Sequence, residues 1–203
     1  KDIVVNCGYS YLFADRWTGG AALKIIYSKL ADYSSVALAV DLGLNYFDEE
    51  QDLSASLSVQ NIGTQVKAYD DGMKTHLPFT LTLGFSKGFD HLPVRIHAAF
   101  TDVTRWKSNY YALPDADSKK VKFGSKLLNH FVVGLDILPT NYLYIAAGYN
   151  FRRAYELKAS GSSKMAGLSF GAGIDLKGFK FGLSYARYHL AASSIMGSLA
   201  YSF

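Results

Sequence analysis

Apolar residues alternate with small or polar residues along most of the chain. In the run 36–46, for example, the even positions are Val, Leu, Val, Leu, Leu and Tyr. An alternation with a period of two residues is typical of a β-strand that has one apolar face. About eleven such runs follow one another, and no stretch shows a helical period of comparable strength. We therefore predict one all-β domain over residues 1–203.

The residues of the opposite parity are small or polar, and few of them are charged. Examples are Ser54, Ser56, Ser58, Thr80, Thr82, Gly84, Gly171, Gly173, Gly182 and Ser184. The outer face of a soluble β-sandwich usually carries Lys, Glu and Arg, whereas the lumen of a small transmembrane barrel leaves little space for side chains. The pattern favours a transmembrane antiparallel up-and-down β-barrel, and a soluble β-sandwich that binds a partner is an alternative.

The connections between the runs differ systematically in length. If the last strand ends in the periplasm, the periplasmic turns are 14–16, 48–50, 87–91, 139–141 and 177–178, and all are short. The external connections then include three long loops, 61–78, 103–128 and 152–165, and two short ones near 30–34 and 190–193. Short periplasmic turns combined with longer external loops are expected of an outer-membrane barrel.

The last strand carries the pattern of an assembly signal. Leu199, Tyr201 and Phe203 alternate up to the C-terminus, and the barrel assembly machinery recognises terminal strands that end on an aromatic residue. The number of strands leads to an expectation about the N-terminal end of the chain. Bacterial single-chain barrels have an even number of strands, so a count of about eleven means either that one strand is miscounted or that further strands precede residue 1. The start of the chain inside an apparent strand favours the second explanation.

Composition narrows the class of protein further. Charged residues make up 19% of the chain, below the roughly 25% that is usual in soluble domains. No run approaches the roughly 18 consecutive apolar residues that a transmembrane helix needs. The chain has a net charge of +4, and its basic residues lie mostly in loops between the apolar runs rather than along one stripe. A membrane surface or a protein is therefore favoured over nucleic acid as the partner. We expect the single cysteine, Cys7, to be a buried structural thiol.

The sequence contains no catalytic constellation, and we expect no enzymatic activity. The five histidines are scattered without metal-ligand spacing, so we predict neither a metal nor another cofactor. The loops 103–128 and 152–165 are basic and include Lys119, Lys120, Arg152 and Arg153. Lipopolysaccharide phosphates would attract such loops. Arg187 and His189 continue the outward parity of the preceding strand, so we predict that these six residues contact lipopolysaccharide or a partner.

Five segments carry a resemblance to a known family. They are 59–65 (VQNIGTQ), 77–84 (LPFTLTLG), 101–106 (TDVTRW), 147–150 (AGYN) and 184–192 (SYARYHLAA). In this order they resemble PorQ-like outer-membrane components of the type IX secretion system. The resemblance covers almost the whole chain. That family is similar to PorV-type and FadL-type barrels, commonly of fourteen strands.

The resemblance implies a function and partners. It implies an outer-membrane barrel that anchors a cell-surface attachment complex for secreted cargo. A PorZ-like surface protein and the subunits of a sortase complex would be the partners, and the sortase would carry out the chemistry. A FadL-like or porin-like channel for hydrophobic or small solutes is the alternative.

Overall fold

The computed structural model describes residues 1–30, 33–68, 77–89, 91–106, 121–159, 165–187 and 193–201. The strands are β1 (Asp2–Ala14), β2 (Trp17–Leu30), β3 (Tyr33–Asp48), β4 (Leu53–Lys67), β5 (Thr80–Phe89), β6 (Leu92–Phe100), β7 (Phe131–Thr140), β8 (Leu143–Asn150), β9 (Leu168–Leu176), β10 (Phe179–Ala186) and β11 (Ser194–Tyr201). Two short helices, α1 (Phe123–Asn129) and α2 (Phe151–Ala159), follow β6 and β8.

The strands form one sheet in which chain neighbours are also sheet neighbours. The order runs from β1 to β11 without a crossover, and the strands are antiparallel. The prediction of an all-β, up-and-down fold with eleven strands is therefore confirmed for the described residues. The chain divides into two compact units, one of Lys1–Asp48 and Ser54–Leu83 and the other of Glu49–Leu53 and Gly84–Phe203.

The first unit has an apolar face and a polar face, which the strand register sets. Leu23 pairs with Cys7 on one side and Val40 on the other, and Ile25 pairs with Val5 and Leu38. Because side chains alternate between the two faces of a strand, these registers place the apolar rows of β1, β2 and β3 on the same face. Leu23 is 51% exposed, so this apolar face is not covered.

The second unit repeats this arrangement over six strands. Ile96 pairs with Leu135, which pairs with Ala147, which pairs with Phe170. The same row continues from Phe170 through Tyr185 to Ile195. The other face of this unit carries mainly small residues, for example the row Gly134, Gly148, Ser169 and Ala186. We call the end where β6 finishes and β7 begins the distal end, and the end where β11 finishes the proximal end.

The predicted loop 61–78 begins later than expected, because strand β4 continues past Asn61. The residues of its polar face are even-numbered before Asn61 and odd-numbered after it. Ser54, an even residue, donates a hydrogen bond to Asn45 on the polar face of β3, and Gln65, an odd residue, donates one to Ser35 on that same face. Between them Asn61 has a φ of 59°, in the left-handed region. An extra residue in such a conformation is the signature of a β-bulge. The strand therefore runs to Lys67, and the prediction of a loop over 61–78 is wrong in its first part.

Two further predicted loops contain the helices. Within 103–128 lies most of α1, and within 152–165 lies most of α2. The side chain of Asn150 accepts a hydrogen bond from the backbone N–H of Arg153 at 2.9 Å, and Arg152 contacts Glu156 one turn later at 3.0 Å. An N-terminal cap and a pair spaced by four residues stabilise a short helix, although neither produces a long apolar period. In the part of the chain that the structure describes, neither helix has the length and hydropathy needed to cross a membrane.

The environment of Cys7 also differs from the prediction. Its side chain is exposed and lies on the apolar face of the first unit, opposite Leu23. The prediction of a buried thiol is wrong because β1 pairs with β2 and its apolar face is not packed against another layer.

Candidate functional site

A polar cluster lies on the polar face of the first unit. Lys24 on β2 forms an ion pair with Asp41 on β3, and its Nζ lies 3.3 Å from the Oδ1 of Asn61 on β4. Asp41 also accepts a hydrogen bond from the backbone N–H of Asn61 at 2.8 Å. Both charged side chains are only 19% exposed. The cluster therefore joins three strands and fixes the bulge at Asn61.

A second polar cluster lies on the polar face of the other unit. Arg95 on β6 binds both carboxylate oxygens of Asp52 at 3.0 Å, and the Nε2 of His97 donates to Asp136 on β7 at 2.7 Å. Arg95 is the direct register partner of Asp136. The cluster thus brings together two carboxylates, one guanidinium and one imidazole. Such an arrangement can bind water, ions or polar solutes.

Small residues leave the rest of this polar face open. A cavity of about 500 Å³ is lined by Tyr144, Gly171, Gly182, Ser184 and Ser198 among others. The Tyr144 ring lies directly over Gly173, where a Cβ would be 2.5 Å from its Cζ atom. The face is thus a shallow groove in which one aromatic ring covers a glycine backbone.

An aromatic cluster lies at the distal end of the second unit. Phe100 and Phe131 are register partners at the ends of their apolar rows, with ring centroids 5.0 Å apart. Trp106 contacts Phe100 at 6.2 Å and His130 at 4.4 Å, and it stacks on Phe123 of α1 at 5.8 Å with an interplanar angle of 19°. The apolar face therefore continues beyond the strands into the turn 101–106 and helix α1.

Hydrogen bonds hold this turn in place. His130 is fully buried, and its Nδ1 donates to the carbonyl oxygen of Thr101 at 2.8 Å, while the Thr101 N–H donates to the His130 carbonyl at 2.8 Å. The indole Nε1 of Trp106 donates to the Val103 carbonyl at 2.7 Å. The turn is therefore an ordered part of the distal end.

Ion pairs connect the same turn to α2. Asp102 lies 3.1 Å from Arg152 and 3.9 Å from Arg105, and Arg152 also binds Glu156. Arg152 was predicted to contact lipopolysaccharide or a partner. Its guanidinium bridges two acids of the same chain and is 28% exposed. Its contact with lipopolysaccharide or a partner stays a prediction.

The structure brings two of the other predicted residues together. Arg153 and Arg187 line a small distal cavity of about 120 Å³ with Asn150 and Ser169. Arg187 lies one residue beyond β10, so strand parity no longer fixes the direction of its side chain. Lys119, Lys120 and His189 lie outside the described residues. Contact of any of these residues with lipopolysaccharide or a partner stays a prediction.

The described part of the proposed assembly signal is on the apolar face. Leu199 pairs with Phe181 and Tyr201 with Phe179, and the last two rings are 4.7 Å apart. Phe203 lies outside the described residues.

Sequence reasoning missed the charged clusters of the polar face. A signal was present, because Lys24, Asp41, Arg95 and Asp136 all interrupt the small residues of the non-apolar parity in the middle of strands. Their pairing could not be predicted, since it depends on the register between strands. Over the described ranges, no group of three or more His, Cys, Asp or Glu side chains is arranged to hold a metal ion.

Comparison with known proteins identifies no family. No family model matches the chain, and no curated protein is similar to it.

Proposed function

We propose that the chain forms part of the wall of a transmembrane β-barrel in the outer membrane. The observation that carries this proposal is the register of β6 to β11, which places apolar residues on one face of six consecutive strands and mainly small or polar residues on the other. Strands of 8 to 10 residues approach the roughly 9–11 that cross a bilayer when tilted. A soluble protein rarely leaves so large an apolar surface uncovered.

Aromatic residues at both ends of the apolar rows support the same proposal. Phe179 and Tyr201 pair at the proximal end, and Phe100 and Phe131 pair at the distal end. Aromatic rings are enriched where a membrane protein crosses the two lipid–water interfaces.

Within the membrane, the proposed role is to anchor a surface attachment complex for cargo of the type IX secretion system. This role rests on the resemblance of the five segments to PorQ-like proteins. One of them, 101–106, is the ordered turn of the distal end, and Arg152 ties it to α2. A rigid distal surface suits the docking of a PorZ-like protein and sortase-complex subunits, because a preorganised surface loses less entropy on binding.

A channel for hydrophobic or small solutes is the second candidate, and the structure favours small polar solutes among them. The observation that favours it is the charged polar face, where Lys24, Asp41, Arg95 and Asp136 would line a lumen. Charged residues facing a water-filled interior tune the selectivity of outer-membrane barrels.

Cross-linking in intact cells would test the anchoring role. The epitope-tagged protein is expected to fractionate with outer membranes and to recover a surface protein and sortase subunits after cross-linking. Recovery of neither, from protein that is folded in the outer membrane, would contradict anchoring. Solute flux through liposomes containing that protein would then support the channel. Absence of the protein from outer membranes would overturn both candidates.

A further inference from the structure

Helix α1 exposes apolar side chains at the distal end. Phe123 is 72% exposed, Leu128 is 53% exposed and Leu127 is 39% exposed. At 100° per residue these three positions and Gly124 share one side of the helix, and Lys122, Ser125 and Lys126 share the other. The short helix is therefore amphipathic, with its apolar side exposed.

The exposed side of α1 is continuous with the apolar face of the second unit. Phe131 contacts Phe100, Phe100 contacts Trp106, and Trp106 stacks on Phe123. This chain of rings leads from a strand row to the helix surface without a polar interruption. Whatever covers the apolar face at this height therefore meets Phe123 as well.

We propose that α1 is an interfacial helix that inserts Phe123 and Leu128 into the outer leaflet of the membrane. This inference rests on the proposed transmembrane function. The occupant is a bilayer with anionic, phosphate-bearing headgroups, because exposed Lys122 flanks the apolar residues and Lys126, whose Nζ lies 3.4 Å from the Trp106 carbonyl, stands beside it. Basic residues next to exposed Phe and Leu are typical of helices that lie in a membrane interface.

The position of Trp106 provides a direct test. The chain contains two tryptophans, Trp17 and Trp106. Trp17 is at the turn end of the apolar face of the first unit, 5.1 Å from Tyr46. Trp17→Phe leaves Trp106 as the reporter for α1, and Trp106→Phe leaves Trp17 as the reporter for insertion of the sheet. Each variant would be reconstituted in phosphatidylglycerol vesicles containing lipids brominated at defined depths.

We expect bromines near the headgroup end of the acyl chains to quench Trp106. In the Trp17→Phe background, Phe123→Asn with Leu128→Asn should abolish this quenching, whereas Ser125→Asn on the opposite side of the helix should preserve it. Lys122→Gln with Lys126→Gln should reduce it in anionic vesicles and leave it unchanged in phosphatidylcholine vesicles. Near-ultraviolet circular dichroism establishes that the aromatic cluster is intact in the variants that keep Phe123 and Trp106, including Leu128→Asn alone, which should weaken the quenching. Far-ultraviolet circular dichroism establishes that the sheet is folded in every variant.

The two reporters separate failure of the inference from failure of the proposed function. Quenching of Trp17 without quenching of Trp106 would overturn the interfacial helix while leaving the sheet in the membrane. A protein partner would then be the occupant of α1. Absence of quenching for both tryptophans would overturn the transmembrane proposal and the inference together.

Discussion

At the scale of single residues, Gly63 of β4 is a position where the backbone of β3 leaves no room for a side chain. A Cβ at this position would overlap the carbonyl oxygen of Leu38 and lie 2.6 Å from the Cα of Ala39. Both atoms belong to the backbone, so a side chain cannot simply rotate away. The two strands would have to separate locally. Gly43, on β3, has no atom within 4 Å of such a Cβ.

Gly63→Ala should therefore destabilise the protein and Gly43→Ala should not. We expect the first substitution to lower the free energy of unfolding by about 1–3 kcal/mol, the usual cost of forcing a methyl group into an occupied space. The second removes backbone freedom from the unfolded chain and should be neutral or stabilising by up to about 1 kcal/mol. Urea unfolding followed by circular dichroism measures both. Equal stabilities for the two variants would show that β3 and β4 do not approach each other at Gly63.

At the scale of the element, the bulge at Asn61 keeps the polar residues of β4 on one face, although they are even-numbered before the bulge and odd-numbered after it. The backbone N–H of Asn61 donates to Asp41, and its side-chain NH₂ donates to the Pro78 carbonyl at 3.1 Å. Asn tolerates a φ of 59° better than most residues. Beyond the bulge, Gln65 reaches Ser35, and Ile62 and Val66 take the apolar parity.

Insertion of one alanine between Asn61 and Ile62 should reverse the faces of the segment that follows it, because the bulge accommodates one extra residue and not two. Gln65, which is 8% exposed, would move to the apolar face and lose its bond to Ser35. Loss of such buried polar contacts costs about 1–3 kcal/mol. Asn61→Gly is the matched control, because glycine adopts the same φ and retains the bulge. Cysteine accessibility at position 65, in a Cys7→Ser background, would report the face. Unchanged accessibility in the insertion variant would contradict a bulge of one residue at Asn61.

The strands themselves could be predicted from the sequence because alternation needs no tertiary information. All eleven runs correspond to strands, including the irregular run from Trp17 to Leu30, where Gly19, Gly20 and Ala21 weaken the apolar row. The bulge could not be predicted, since a single extra residue changes parity without changing composition. The short helices were also missed. Their stability comes from the Asn150 cap and the Trp106–Phe123 stack, which do not produce a periodic pattern.

At the scale of the whole molecule, the exposed apolar residues and the polar clusters require different surroundings. Leu183 is 61% exposed and Ile195 is 71% exposed, whereas Lys24 and Asp41 are each 19% exposed. A protein in water normally has the reverse distribution. Lipid against the apolar rows and water along the polar face would satisfy both. The charged pairs would then face water, as ionisable residues of membrane proteins usually do.

The cost of a charge at different heights on the apolar face distinguishes lipid from water. Leu183 lies in the middle of β10, and Leu176 lies at the proximal end of β9, beside the turn at Lys177. In a bilayer, Leu183→Arg should lower the free energy of unfolding by about 2–4 kcal/mol and Leu176→Arg by only about 0–1 kcal/mol. In water both changes would stay within about 0.5 kcal/mol, because both side chains are more than half exposed. Urea unfolding of the protein in phospholipid vesicles measures the two costs under the same conditions.

A steep dependence on height is the result that lipid contact requires, since only a hydrocarbon layer penalises the central charge. Small and equal costs would mean that water or a polar partner covers this face, and the transmembrane assignment would have to be abandoned.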